Sequence, residues 1–202
     1  MSTLRIGILT GSTRPGRTSE SVARWVHQMA QDRQDAQFEL VDIAAYELPL
    51  FDEPLSPTKR KYTRPHTFVW SERIAPFDGY VFVTPEYNHS ISGALKNAID
   101  FLYHEWSHKA AGIVSYGGRG SGARAAEHLR GVMGSLMVAT VRKQVLLSTY
   151  SDFDPLGTFT PLPQRRGELM LMLDEIVSIA RALRPARSPA DGGARSSLAD
   201  AG

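Results

Sequence analysis

The chain has 202 residues, 42% of them hydrophobic, and its 23 Lys and Arg residues nearly balance its 21 Asp and Glu residues. This size fits one compact domain with a sizeable core, and a formal charge of +2 does not indicate a basic face for nucleic acid. The absence of cysteine excludes disulfides, thiolate zinc sites and cysteine nucleophiles. No stretch approaches the roughly eighteen apolar residues of a membrane span, and the first apolar run is too short for a secretory signal. We therefore expect a soluble, cytoplasmic protein.

Short runs rich in Val, Ile and aromatic residues alternate with segments of helical periodicity along the chain. The runs predict strands over residues 4–10, 38–42, 79–84, 111–115 and 137–141. The periodic segments predict helices over residues 22–30, 67–74, 92–102, 122–133 and 169–180. This alternation is typical of an α/β fold with a doubly wound, five-stranded parallel sheet and helices on both faces.

Two segments lack either pattern. Residues 44–65 include four prolines and are predicted to form a long loop, serving as a lid or a partner contact. Residues 184–202 are rich in Gly, Pro, Ser and Ala and poor in large apolar residues, which predicts a disordered tail. The predicted organisation is therefore a single domain over residues 1–183, followed by that tail.

Three loops of unusual composition follow predicted strands: GSTRPGR after the first, PEYNHSIS after the third and YGGRGSG after the fourth. In an open α/β sheet, ligands bind beyond the carboxyl ends of the strands, where the strand order reverses. One Gly- and Ser-rich loop is more often a tight turn than a ligand site. Three such loops at one edge of one sheet indicate a shared ligand.

The first of these loops has the composition of an anion site. The free N–H groups and the positive dipole at the start of the following helix favour a bound anion. Arg14 and Arg17 would repel each other, and the helix start, unless an anion lay between them. The other interpretation is a turn that caps the helix through Thr18 or Ser19. We favour a phosphate site.

The same loop differs by one residue from the nucleotide-triphosphate pattern G-x-x-x-x-G-K-[ST], because Arg17 stands where that pattern has lysine. That chemistry also needs a carboxylate for magnesium at the end of another apolar strand. The only candidate, Asp42, ends a predicted strand that contains Glu39. A P-loop nucleotidase is therefore disfavoured.

Gly118, Gly120 and Ala123 fit the dinucleotide pattern G-x-G-x-x-[GA]. The full fingerprint also needs an acidic residue about twenty positions later, and this stretch offers none. We therefore expect these glycines to let a flat ligand approach the backbone closely.

His104, Glu105 and His108 spell the zinc-peptidase pattern H-E-x-x-H, with Glu127 at the distance of a third ligand. The pattern binds zinc only on a continuous helix. Here the apolar stripe ends at Leu102 and a strand begins by Ala111, so we expect solvated helix-end histidines and no metal.

The stretch PEYNHSIS provides an aromatic ring and an amide, Tyr87 and Asn88, that could cover a flat ring and bond its edge. The alternative is a proline turn into an amphipathic helix with Ser92 near its N-cap. A monophosphate at the loop after the first strand, and a flat ring at the loops after the third and fourth strands, describe FMN.

At this point the sequence resembles the flavodoxin-like NADPH-dependent FMN reductases, with the related quinone, chromate and azo-dye reductases. The resemblance rests on GSTRPGRTSESVARWV, TPEYNHSISGALKNAIDFLYHEW and SYGGRGSGARAAEHLR, and it fades after Arg130. Ser19 and Ser92 stand where the family pattern has glycine and proline. The resemblance implies an FMN phosphate surrounded by Ser12, Arg14, Arg17, Thr18 and Ser19, an isoalloxazine ring lined by Pro85, Glu86, Tyr87 and Asn88, and its other edge closed by Ser115, Gly117 and Gly118.

The expected function is an FMN-dependent oxidoreductase that takes hydride from NADPH or NADH and reduces a quinone, free flavin or another small acceptor. Because the flavin carries the chemistry, we name no catalytic side chain. The resemblance implies a homodimer or homotetramer, and Tyr103 and Trp106 are predicted to lie at its interface, with core packing as the alternative. A flavodoxin-type electron carrier and a zinc hydrolase remain the alternative functions.

Overall fold

The computed structural model describes residues 3–187, in which parallel strands and α-helices alternate. The strands are β1 (Leu4–Thr10), β2 (Ala36–Asp42), β3 (Gly79–Pro85), β4 (Lys109–Gly117) and β5 (Val138–Ser148). The helices are α1 (Thr18–Ala30), α2 (Pro65–Ile74), α3 (Gly93–Asp100), α4 (Ala123–Ser135) and α5 (Gln164–Leu183). Every predicted strand and helix is present, although several of them extend beyond their predicted ends.

The sheet has the order β2-β1-β3-β4-β5, and every pair of neighbouring strands is parallel. The order reverses between β1 and β3, so a crevice opens there at the carboxyl edge of the sheet. α1 and α5 pack on one face, and α2, α3 and α4 pack on the other. The predicted doubly wound α/β fold is confirmed.

Burial on both faces explains why the central strands read as continuous apolar runs. All seven residues of β3 are buried. One apolar cluster contains Trp70 of α2 and Leu129 of α4, and the other contains Val26 of α1 and Ile176 of α5. The sheet is thereby held rigidly between two helical layers, which fixes the positions of the loops at its carboxyl edge.

Two of those loops are linked directly at the crevice. The Gly11 N–H donates to the Val83 carbonyl at 2.6 Å, and a Cβ at position 11 would lie 2.5 Å from that oxygen. Ser92 caps α3 by accepting from the Leu95 N–H at 3.0 Å, and its hydroxyl donates to the Gly11 carbonyl at 2.5 Å. The N-cap position of Ser92, which belonged to the alternative interpretation of PEYNHSIS, is confirmed, and the serine adds a link that proline could not make.

The long loop before α2 contains two short 3-10 helices, Ile43–Tyr46 and Pro57–Lys59. Its middle is fixed by the buried Glu53 carboxylate, which accepts from the backbone N–H groups of Thr63 and Arg64. No helix among residues 3–187 is long and apolar enough to cross a membrane. Of the predicted tail, Arg184–Arg187 form a 3-10 turn rather than disordered chain, and residues 188–202 lie outside the described part.

Candidate functional site: a cavity at the carboxyl edge of the sheet

A cavity of about 340 Å³ opens where β1, β3, β4 and β5 end. Its volume falls in the range of small-molecule sites, about 300–1,000 Å³. The loops after β1, β3 and β4, which the sequence singled out, meet here, and the segment that follows β5 joins them. The lining residues are Arg14, Gly16, Arg17, Thr18, Pro85, Glu86, Tyr87, Tyr116, Gly117, Gly118, Thr149, Phe153 and Gly157.

The start of α1 borders the cavity. Arg17, in extended conformation, is the N-cap residue, and the described residues provide no side-chain cap there. Capping by Thr18 or Ser19 is therefore wrong: Thr18 is already the first helical residue, and Ser19 is buried. The first N–H groups of the helix are left without a capping side chain, as an anion site requires.

Arg17 is a cation of the first loop that lines the cavity and is held in place by an ion pair. Its guanidinium forms an ion pair with Asp42, which is itself held by the Thr10 hydroxyl at 2.8 Å. Asp42 thus reduces the repulsion between the two arginines, and the inference that only a bound anion could do so is wrong. The Arg17 Nε is nevertheless buried without a hydrogen-bond partner in the described chain. The Tyr116 hydroxyl faces the hydroxyl and N–H of the buried Ser19. An orphaned donor such as the Arg17 Nε is rare, and it fits a phosphate oxygen.

Ser12 and Arg14 are the other two predicted site residues of this loop. Arg14 is exposed and lines the cavity, while Ser12 is buried beneath it. The Ser12 hydroxyl accepts from the Arg14 N–H at 3.3 Å and lies 3.2 Å from the Tyr87 hydroxyl. Ser12 therefore fixes the first loop against the loop after β3, and Arg14 remains free to turn toward a ligand.

The loop after β3 contains a two-residue hairpin turn. Tyr87 and Ser90 exchange backbone hydrogen bonds of 2.9 and 3.0 Å, and Asn88 and His89 between them have φ of 50° and 69°. This is the geometry of a type I′ turn. The Tyr87 ring lines the cavity, whereas Asn88 lies exposed at the hairpin tip, outside the lining. Contact between Asn88 and a flavin ring stays a prediction.

Glu86 joins this loop to α4. Its carboxylate accepts from the Arg124 guanidinium at 2.9 Å and from the Arg124 backbone N–H at 3.1 Å. Burial opposes ionisation, but these hydrogen bonds hold the pKa of Glu86 below its ordinary value. Glu86 is therefore ionised at neutral pH, and it supports the wall rather than donating a proton.

The loop after β4 brings glycine backbone to the cavity. Gly117 and Gly118 line it, while Ser115 is fully buried below, with its hydroxyl donating to the Ser121 carbonyl at 3.3 Å. Gly122 has φ +80°, and a Cβ there would lie 2.7 Å from the Tyr116 nitrogen. The turn is thus too tight for side chains. A flat ligand would meet bare backbone at this side.

The segment after β5 was not anticipated as part of the site. The Thr149 N–H donates to the Gly117 carbonyl at 2.9 Å, which places the segment beside the loop after β4. The Phe153 ring lies 6.4 Å from the Tyr116 ring, centroid to centroid, and burial raises the pKa of the Tyr116 phenol. The stretch TYSDFDPLGTF, with three aromatic residues and a glycine after an apolar run, was the available signal.

The HEWSH motif forms no helix. α3 ends at Asp100, and the motif occupies turns in which the His104 ring donates to the Thr58 carbonyl at 2.9 Å. The Glu105 carboxylate accepts from the Tyr62 and Ser71 hydroxyls at 3.0 and 2.7 Å. Within residues 3–187, no group of three or more acidic or histidine side chains could hold a metal ion.

Trp106, within the same motif, is fully buried, and its indole N–H donates to the Ile99 carbonyl at 3.1 Å. Its predicted place at a subunit interface is therefore wrong. Core packing, the alternative, is what the structure shows.

A larger cavity, about 590 Å³, lies at the opposite edge of the sheet beside this motif. Its most buried polar group is the Lys109 ammonium, which donates to the carbonyls of Ile74 and Ala75 and to the Tyr80 hydroxyl. Burial lowers the pKa of Lys109 to about 7. Since Lys109 satisfies the carboxyl end of α2, its role is structural, and size alone does not make this cavity the site.

The sheet has the order 2-1-3-4-5, an uncapped helix start follows β1, and a cavity lies beside the loops after β3 and β4. This is the arrangement of flavodoxin-like proteins. Within that class, the model of the family described as "NADPH-dependent FMN reductase" matches residues 4–152. The chain belongs to this family.

Individual proteins agree with this assignment. An NAD(P)H-dependent FMN reductase of Schizosaccharomyces pombe is 36% identical over 195 residues, covering 93% of this chain and 95% of its own. A 2-hydroxy-1,4-benzoquinone reductase of a Burkholderia species is 32% identical over 147 residues, covering 69% and 75%. In fold, the chain is similar to the NAD(P)H:(acceptor) oxidoreductase FerB of Paracoccus denitrificans, with TM-score 0.70, 19% identity, and coverage of 89% and 98%.

Proposed function

We propose that the chain is an FMN-dependent oxidoreductase that takes hydride from NADPH or NADH and reduces a quinone, free flavin or another small acceptor. One observation carries this proposal. The carboxyl-edge cavity joins an uncapped helix start, with an orphaned donor on Arg17, to a wall of aromatic rings and glycine backbone. The names of the relatives favour the same chemistry.

The residues present fit FMN. Arg14, Arg17 and the first N–H groups of α1 would hold the phosphate, with the Ser19 hydroxyl as a further donor. Tyr87 and the Gly117–Gly118 backbone would border the ring. FMN, when bound, supplies the hydride- and electron-transfer chemistry. The side chains of the cavity bind and orient, and Glu86 is already committed to Arg124.

The deciding experiment is the absorption spectrum of the purified protein with FMN, before and after anaerobic addition of NADPH. We expect the flavin band to bleach rapidly and to return when a quinone is added. Slow bleaching would favour a flavodoxin-type electron carrier. Bound zinc without flavin would favour a hydrolase and contradict the proposal.

Asn88 supplies a second test, because we propose that its amide contacts the flavin ring. Asn88→Gly keeps the positive φ of the hairpin accessible and removes only the amide. One lost hydrogen bond corresponds to about 0.5–1.5 kcal/mol, so FMN and riboflavin should both bind about two- to tenfold more weakly. Fluorescence titration of both ligands measures this effect, with His89→Gly as the control at the adjacent position. Unchanged affinities in the Asn88 variant would show that the amide does not reach the ring.

We also propose a cytoplasmic homodimer or homotetramer, with one interface on the α3 face. A groove of about 500 Å³ is lined there by Thr13, Leu48, Leu50 and Ala94, among others. Leu50 is 86% exposed, and its loop is fixed by hydrogen bonds between Asn97 and the backbone of Pro49 and Phe51. An exposed apolar side chain held on a rigid loop is typical of an interface. Thr13 adjoins Arg14, so this interface would border the cavity.

Leu50→Asp should therefore lower the mass in solution by at least half at micromolar concentration, because a buried unpaired carboxylate opposes association. Light scattering with FMN bound measures the mass. Leu171→Asp, on the exposed side of α5 across the sheet, is the matched control and should leave it unchanged. A monomeric wild type would contradict the proposal.

A further inference from the structure

Two large apolar side chains stand beside the carboxyl-edge cavity without packing partners that cover them. Tyr150 is 74% exposed and Leu156 is 92% exposed, and both belong to the β5–α5 loop, residues 149–163. Single exposed apolar residues are ordinary. These two, however, share their loop with Phe153 and Gly157, which line the cavity. The Tyr150 ring also approaches Gly118, lying 3.8 Å from where a Cβ on that glycine would be.

The loop holds Leu156 in a fixed position. The Asp154 carboxylate accepts from the Leu156 N–H at 2.9 Å and from the Thr158 N–H at 2.7 Å. The Asp154 N–H donates to the Thr158 carbonyl at 2.9 Å, and Gly157 has φ +81° between them. A tight, hydrogen-bonded tip of this kind needs no further ordering of its backbone to present the Leu156 side chain, which favours contact with a ligand.

Aromatic packing fixes the base of the loop. Phe153 and Phe159 pair across an antiparallel bridge with ring centroids 5.1 Å apart, and Phe159 meets Trp25 of α1 at 5.6 Å. The family match ends at residue 152, immediately before Phe153. The tip of the loop therefore lies outside the residues that the family model matches.

We propose that Tyr150 and Leu156 select the electron acceptor by giving a flat, uncharged, substituted quinone an apolar surface at the mouth of the cavity. This inference rests on the proposed function. In the overall reaction, NADPH and one solvent proton convert the quinone to its hydroquinone and release NADP⁺. The two side chains contact the acceptor rather than FMN, so their removal should affect neither FMN binding nor acceptors that need no apolar contact.

The test compares Tyr150→Ala, Leu156→Ser and the double variant with wild type, using menadione and ferricyanide as acceptors. Loss of this apolar contact should lower kcat/KM for menadione about 5- to 20-fold in the double variant. The kcat/KM for ferricyanide and the FMN affinity should stay within about twofold. Tyr150→Phe should retain menadione reduction, because the ring rather than the hydroxyl makes the contact. Leu171→Ser removes an equally apolar exposed side chain outside the cavity and should change none of these values.

Equal losses with both acceptors, or no loss with menadione, would overturn the inference. A changed mass in solution for Leu156→Ser would also overturn it, since the side chain would then belong to a subunit contact. Wild-type protein that binds FMN and oxidises NADPH with ferricyanide, but not with menadione, would refute acceptor selection and leave the oxidoreductase intact. Absence of FMN binding or NADPH oxidation would refute the proposed function itself.

Discussion

Replacing Arg17 with alanine should weaken FMN binding about ten- to a hundredfold, because a hydrogen bond to a charged group contributes about 1.5–3 kcal/mol. The buried Arg17 Nε has no partner in the described chain, which leaves one donor available to a phosphate oxygen. Riboflavin lacks the phosphate, so its affinity should remain near the wild-type value. Flavin-fluorescence titration of both ligands with both proteins measures the difference.

Two variants separate phosphate binding from support of the fold. Arg24→Ala removes an exposed arginine of the same helix, paired with Glu20 at 2.8 Å, and should leave both affinities unchanged. Since Arg17→Ala also strands Asp42, the double variant with Asp42→Asn should show the same selective loss of FMN binding. Equal losses for FMN and riboflavin would reduce Arg17 to a structural role. Strong competition by ATP with magnesium would revive a triphosphate site.

The sheet and three of the four cavity segments could be predicted because both signals are local. Buried parallel strands leave continuous apolar runs, and the loops at their carboxyl ends keep an unusual composition. The Arg17 and Asp42 pair could not be predicted, since the partners are far apart in sequence and meet only once β2 lies beside β1. Their pairing changes the electrostatics of the first loop from two free cations to one.

The segment after β5 was not predicted as part of the site, because the sequence of β5 does not have the pattern of a single strand. Its pairing with β4 shifts register between Ala111 and Ile113, and the polar residues Arg142 and Lys143 fall in the irregular part. A bulge adds residues and breaks the alternation on which prediction depends. The strand therefore seemed to end at Val141, and the loop that follows Ser148 was not recognised as reaching the cavity.

Asp152 holds that missed loop in place, and its replacement by alanine should have the largest effect on stability. The fully buried carboxylate accepts from the Ser148 and Leu162 N–H groups at 2.9 and 3.1 Å, and from the Arg165 guanidinium at 3.0 Å. Breaking a buried ion pair from one side costs about 3–5 kcal/mol, because the remaining charge loses its partner. Urea denaturation should show that loss in the free energy of unfolding.

A surface aspartate provides the comparison for this prediction. Asp174 pairs with Arg33 at 2.8 Å in an exposed position, so Asp174→Ala should cost no more than about 1 kcal/mol. Asp152→Asn keeps an oxygen and loses the charge, so its loss of stability should fall between those of Asp174→Ala and Asp152→Ala.

Burial raises the pKa of Asp152, but the Arg165 and backbone hydrogen bonds outweigh it and hold the pKa below its ordinary value. The stabilisation is therefore present above that ordinary value and lost as the pH falls through the lowered pKa. Equal losses for Asp152→Ala and Asp174→Ala would mean that Asp152 does not anchor the loop, whereas weaker FMN binding in the Asp152 variant alone would connect the anchor to the cavity wall at Thr149 and Phe153.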